Sequence, residues 1–240
     1  MSPRTPQPRE RRRGPGRPPG PSQAVQLRTR LIDEASHLYA EGGYTGLSFA
    51  VVAARAGLTK ATVFHYFPNK DALLRAVFES FGERLEAAAE NWFAPPPASH
   101  SARLERLVTS LVEFYGREPL NARILCHGLL EAEHLAPWIP AGSSALAPFD
   151  RFIANFAAFI AGGVEADEFY PDRPMATIMA IGGLILFEFM LPDQGRPFRS
   201  APFGAVSLGE RCSEMTALIN RAVVRPQVRL DRRGTQRSAS

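Results

Sequence analysis

A chain of 240 residues, 45% apolar and carrying a net charge of +4, has material for one large domain or two smaller ones with a buried core. Its two cysteines, Cys126 and Cys212, are too few and too far apart for a disulfide scaffold or a metal knuckle, and fit a reducing cytosol. The arginine- and proline-rich start lacks the apolar stretch of a secretory signal.

Charge is unevenly spread. Residues 1–20 hold six arginines and one acid, residues 221–240 hold the same, and residues 81–220 hold 10 basic against 17 acidic groups. Basic ends, a near-neutral segment at 21–80 and an acidic body would orient the molecule on a polyanion. Residues 1–22 have no apolar periodicity and read as a disordered arm. Within it Gly16-Arg17-Pro18 offers two readings: an insertion of Arg17 into an A·T minor groove, or a polybasic tail drawn to phosphate without sequence preference.

From Gln23 to about Glu41, Leu27, Leu31, Ala35 and Leu38 form an amphipathic stripe, and Gly42-Gly43 stops the helix. Ser48 is placed to cap a second helix ending at Gly57. Thr59 caps a third of about two turns, which Pro68 terminates, and Asn69 opens a fourth. Three closely spaced helices with a glycine turn between two of them are the grammar of a helix-turn-helix. In the third, Val63 and Phe67 face a core, while Lys60, Ala61 and Phe64, with Thr62 beside them, form a small, partly basic face suited to a major groove. The only lysines of the chain, Lys60 and Lys70, both fall here.

Gly43-Tyr44-Thr45-Gly46-Leu47-Ser48, then Ala53-x-x-Ala56-Gly57-Leu58-Thr59, then Lys70-x-x-Leu73 together resemble the DNA-binding motif of the tetracycline-repressor (TetR) family of bacterial transcription factors. The resemblance implies that Lys60, Ala61, Thr62 and Phe64 lie at the major groove, and that Ser48, Tyr66 and Lys70 meet phosphates. Two positions depart from the family pattern: Phe64 stands where tyrosine is common, and Tyr66 where histidine is common. The first loses a hydroxyl contact to the backbone, which the second can restore nearby; Phe64 could equally be core.

The fourth helix carries Leu74, Val77, Phe81 and Leu85 out to about Trp92, so it belongs to both the DNA-binding unit and the body. After Pro95-Pro96-Pro97, helices are expected at about 101–115, 118–135, 144–161, from Pro174 to about Leu191, and 205–224. Gly162-Gly163 is expected to end the seventh. The apolar run from Ala176 to Leu191 includes Glu188 and is shorter than the roughly 20 residues a spanning helix needs. It reads as a buried interface helix, and no membrane partner is expected.

The expected fold is all-α: an N-terminal three-helix helix-turn-helix unit and a larger helical ligand-binding and dimerisation domain, about nine helices in total. The boundaries fall at 1–22 (arm), 23–70 (DNA-binding), 71–224 (effector binding and dimerisation) and 225–240 (basic tail). The resemblance implies a small-molecule pocket in the body, for which Phe114, His127, Glu131, Trp138, Phe152, Phe156 and Phe159 are candidates. Aromatic residues at this spacing also fit a plain core. His127, Glu131 and His134 share a helix face and permit metal ligation, but no second cluster completes a site. Ile178, Ile181, Gly182, Ile185 and Phe189, with Met215, Leu218 and Ile219, are the expected dimer interface. A two-fold pair would set two reading helices about one DNA turn apart, roughly 34–36 Å.

The function expected is a cytoplasmic, ligand-responsive, sequence-specific regulator, by family a repressor, that binds a double-stranded DNA operator as a homodimer and is released by a small apolar effector. No cofactor and no catalytic residue are expected: the sequence holds no nucleophile elbow, phosphate loop or paired-carboxylate constellation. The alternative is an architectural protein that binds DNA without specificity through its basic tails.

Overall fold

The computed structural model describes residues 21–90, 92–93, 99–137, 139–140, 142–170, 173–190 and 207–226. Among these, ten α-helices carry the chain: α1 Pro21–Gly46, α2 Phe49–Arg55, α3 Lys60–Tyr66, α4 Lys70–Ala89, α5 His100–Arg117, α6 Pro119–Leu130, α7 Ala132–Leu135, α8 Ala147–Glu165, α9 Pro174–Met190 and α10 Leu208–Val223. The only β contact described is an isolated bridge between Phe169 and Val224. The all-α expectation holds. Most of the basic arm, Arg17 included, and most of the tail fall outside the described residues.

Local chemistry fixes the helix ends. Asn69 Oδ1 accepts from the Ala72 N–H at 2.8 Å and Thr59 Oγ1 from the Thr62 N–H at 3.2 Å, while Ser207 and Glu210 cap α10 reciprocally. Gly57 takes φ +65° in the turn between α2 and α3, a conformation that suits glycine. Ser48 stands at the first residue before α2 with extended backbone, but its side chain makes no capping bond.

Three expectations are revised. Gly42 and Gly43 do leave helical geometry, yet one more turn follows them, so α1 is a broken helix reaching Gly46. The helix expected to run from Glu118 to Leu135 breaks at Glu131 into α6 and the one-turn α7. Gly162-Gly163 does not end α8, which continues to Glu165. Gly163 is small for a different reason: a Cβ there would collide with the Phe169 ring.

One buried cluster runs through the whole molecule. In the N-terminal part Leu31, Ala35 and Leu38 of α1 belong to the same buried cluster as Val52, Val63, Phe67, Leu73 and Leu74. Helix α1 then packs on both α4 and α6, α4 on α8, α6 on α9, and α5 on α10. No helix among the described residues is long and apolar enough to cross a membrane.

The turn after α8 is tied to two other elements. The Glu168 carboxylate accepts from the His100 N–H at 3.0 Å, the Ser101 N–H at 2.9 Å and the Ser101 hydroxyl at 2.9 Å. It thus satisfies donors in the first turn of α5 that have no helical partner. The Glu168 carbonyl accepts from the Arg225 N–H beyond α10 at 2.8 Å.

Candidate functional site

Helix α3 presents a sharply divided surface. Val63 is fully buried and Phe67, just beyond the helix, nearly so, whereas Lys60, Ala61 and Phe64 are exposed and Thr62 is partly so. Phe64 is 49% exposed: one side leans on Phe49, with ring centroids 4.8 Å apart, and the other faces outward. The Lys60 ammonium lies 5.7 Å from its centroid. Thr62 and Thr59 share a hydroxyl hydrogen bond of 2.9 Å, which orients the Thr62 methyl and hydroxyl at the head of the helix. Arg30 reaches from α1 and donates to the Ala56 carbonyl at 2.7 Å, fixing the end of α2 that precedes this surface.

The start of α4 lies in a small network. Tyr44 donates its hydroxyl to Asp71 Oδ1 at 2.8 Å, and the Lys70 ammonium stands 3.9 Å from the centre of the Tyr44 ring. Partial burial lowers the Lys70 pKa, and the carboxylates of Asp71 and Glu131 oppose that shift. Tyr66 is partly buried, its ring edge-on to His65. Ser48 is partly buried as well.

The expected pocket residues do not converge. Phe152, Phe156 and Phe159 are buried against one another and against Phe93, with centroid separations of 5.7–6.5 Å. Phe114 joins this stack through Trp92 at 5.9 Å. These rings pack on one another, and Phe93 and Phe152 also border an open cleft of about 380 Å³ between α4 and α8. His127 faces away from them and lines an open cleft of about 320 Å³ with Ala40, Arg123 and Cys126. Glu131 points into α1, and Trp138 lies outside the described residues.

A separate cavity of about 210 Å³ lies between α4, α6, α7 and α8. Phe78, Phe81, Leu125, Leu135, Ile139 and Phe149 form its walls, Gly82, Gly128, Ala132 and Ala145 complete the lining, and Asp150 is the charged group on it. Sequence reasoning missed these residues because their spacing marks them as apolar and says nothing of whether the space between them is filled. The cavity has the apolar walls and sparse polar groups typical of small-molecule sites. Among the described residues no group of three His, Cys, Asp or Glu side chains is placed to hold a metal ion.

Of the expected dimer residues, Leu218 is exposed and Gly182 partly so, while the other six lie inside. Ile178, Ile181, Ile185, Phe189, Met215 and Ile219 are buried within the protomer, so their side chains serve its own core. The outer sides of the same two helices expose Met175, Met179, Leu184, Phe187 at 65% and Leu218 at 50%. Gly182 is partly exposed, with nothing near the place a Cβ would occupy. Helix α9 is therefore apolar on both its inner and outer sides, with Glu188 paired to Arg211, and periodicity alone gave a partner both inner and outer residues of α9 and α10, the outer Gly182 and Leu218 among them.

Residues 31–77 match the family model described as bacterial regulatory proteins of the tetR family. Over 108 residues the chain is 26% identical to the HTH-type transcriptional repressor KstR of Rhodococcus jostii (strain RHA1), covering 45% of this chain and 50% of that protein. It thus spans about half the length of that curated relative. The structure of the ketosteroid transcriptional regulator KstR2 of Mycobacterium tuberculosis superposes with a TM-score of 0.64 at 18% identity, over 82% of this chain and 95% of that one. AibR, solved in complex with isovaleryl coenzyme A and operator DNA, gives a TM-score of 0.62 at 16% identity over 80% and 97%. At such identities the structures speak for the fold, and the motif carries the family. The chain therefore carries a DNA-binding segment of the tetR family of bacterial regulatory proteins, followed by a helical body with the fold of these solved regulators.

Proposed function

We propose that the protein is a ligand-responsive, sequence-specific DNA-binding regulator, acting as a homodimeric repressor in the cytoplasm. It works by binding rather than catalysis. The observation that carries this reading is the division of α3, with Val63 inside and Lys60, Ala61 and Phe64 outside. Lys60 can donate to guanine acceptors, and the Ala61 and Thr62 methyls can pack on thymine. Ser48, Tyr66 and Lys70 then contact phosphates, and Arg17 in the arm adds backbone or minor-groove contacts. Residues 23–70 serve as the reader and 71–224 as the body.

A single two-turn helix reads few bases, so a second copy is needed for useful specificity. The exposed apolar sides of α9 and α10 supply a self-complementary surface for a two-fold pair. The effector is a small, mainly apolar molecule held in the cavity between α4, α6, α7 and α8. Its binding favours a dimer whose recognition helices no longer match one groove spacing, and the operator is released by population shift. AibR, solved with isovaleryl coenzyme A and operator DNA, supports by analogy of fold that one such protein binds both a small molecule and DNA, and does not bear on release.

Selecting bound DNA from a random pool with the full chain at a stated salt concentration tests the reading. The expected product is a palindrome with half-sites about one DNA turn apart. Recovery of unrelated sequences bound with equal affinity would sink it and would favour non-specific binding through the basic ends.

A further inference from the structure

The break between α6 and α7 sends a carboxylate across to the DNA-binding part of the chain. Glu131 terminates α6 with φ −99° and ψ 9°. Its Oε2 accepts from the Tyr39 hydroxyl at 3.0 Å, and both oxygens lie 3.1 Å from the Tyr44 N–H. That amide is the first one past the Gly42–Gly43 break in α1. Gly43 is buried with φ +60°, and a Cβ at this position would collide with Glu131 Oε1 and stand 3.0 Å from His127 Nδ1. The break in α1 and the break after α6 therefore fit one another. His134, one turn further on, lies edge-on to the Tyr44 ring at 5.2 Å.

Both ends of this joint lead somewhere. In the body, Gly128, Leu129 and Ala132 flank Glu131 in sequence and line the apolar cavity. In the N-terminal part, Tyr44 holds Asp71 through its hydroxyl and Lys70 through its ring. We propose that Glu131 is a positioning residue coupling the cavity to the DNA-facing start of α4. A molecule seated against Gly128, Leu129 and Ala132 displaces the α6–α7 break and draws the carboxylate off the Tyr44 amide. Tyr44, Asp71 and Lys70 then shift together. The inference rests on the regulator reading above and deepens it, since it names the group through which the cavity is sensed.

The test uses the full-length chain, operator DNA from the random-pool selection, and straight-chain alcohols from butanol to decanol as cavity probes. Occupancy is read as thermal stabilisation. In the unmodified protein an alcohol that stabilises the fold is expected to lower operator affinity about tenfold, within the usual range of coupling, and to speed amide exchange at Tyr44. Glu131→Ala should still be stabilised by the same alcohol, but should bind operator about tenfold more weakly and without further response. Glu131→Gln, which keeps an acceptor, should restore part of that response. A Glu131→Ala protein with unaltered operator affinity and unaltered alcohol response would overturn the proposal, and so would a loss of affinity that merely tracks loss of folded protein. If no DNA is selected, the regulator reading fails by itself, and Tyr44 exchange decides the coupling: acceleration by alcohol supports it and constancy overturns it. If no alcohol stabilises the chain, Ala145→Leu fills the cavity in its place and is judged by the same exchange.

Discussion

Lys60 and Lys70 sit within one turn-and-helix segment and have different surroundings. Lys60 is exposed beside Phe64, whereas Lys70 is packed over the Tyr44 ring. Lys60→Ala is therefore expected to cost about 1–3 kcal/mol on the preferred operator and little on random DNA, relaxing base preference. Lys70→Ala should weaken all sequences by a similar factor and reduce the salt slope by about 1, as measured by titration at several salt concentrations. Equal losses of folding stability in both variants would refute the assignment of these side chains to a DNA surface. Gly43 gives a second residue-scale expectation. Gly43→Ala meets both a left-handed backbone and the Glu131 carboxylate, and should destabilise the fold by about 2–4 kcal/mol in denaturant titration. The sequence marked Gly42-Gly43 as a helix stop through the lack of a Cβ. It could not reveal that the same lack admits a carboxylate from far along the chain, because that requires knowing which helices are neighbours.

The caps at Thr59 and Asn69 were legible because their chemistry is local, each side chain binding within one turn. The sidedness of α9 was not legible, since a helix with Glu188 as its one charged residue has no polar face to orient it. Its outer side carries a distinct expectation. Phe187→Asp or Leu218→Asp should leave the protomer folded, because both side chains are exposed, while shifting sedimentation toward a single chain. Loss of a central interface aromatic costs about 2 kcal/mol or more, and operator binding should fall accordingly. An unchanged dimer would place the interface elsewhere. The turn after α8 supplies a pH-dependent expectation. Burial pushes the Glu168 carboxyl up, but hydrogen bonds from Ser101 and His100 outweigh it and hold the pKa at about 2. The unfolded chain takes up the proton first as pH falls, so Glu168 contributes stability above about pH 4.5 that is lost progressively toward pH 2. The difference in unfolding free energy between the unmodified protein and Glu168→Gln should shrink across that window. A constant difference would mean that the carboxylate is not what ties α5 to this turn.

At the scale of the molecule, overall helix order and the motif were readable, while the apolar cavity was not. Phe152, Phe156 and Phe159 have the composition of a binding site, yet they pack largely on one another, with only Phe152 bordering an open cleft, and a separate apolar cavity lies beside Phe78, Phe81 and Phe149. Distinguishing a filled aromatic cluster from a lined cavity needs the volumes left between helices, which no spacing rule supplies. The buried cluster that runs from Leu31 and Val63 through α4 to Phe156 and Ile219 has a thermodynamic consequence. Reader and body share walls, so neither can melt without stripping the other. Heating should give a single calorimetric transition whose van't Hoff and calorimetric enthalpies agree, rather than an early peak from the reader. A fragment cut within α4 would expose the body-facing sides of α1 and α4 and lose its fold. Every kilocalorie that a molecule adds to the cavity is then also added to the lifetime of the DNA-reading surface. The same compound that loosens the grip on an operator would make the protein harder to unfold.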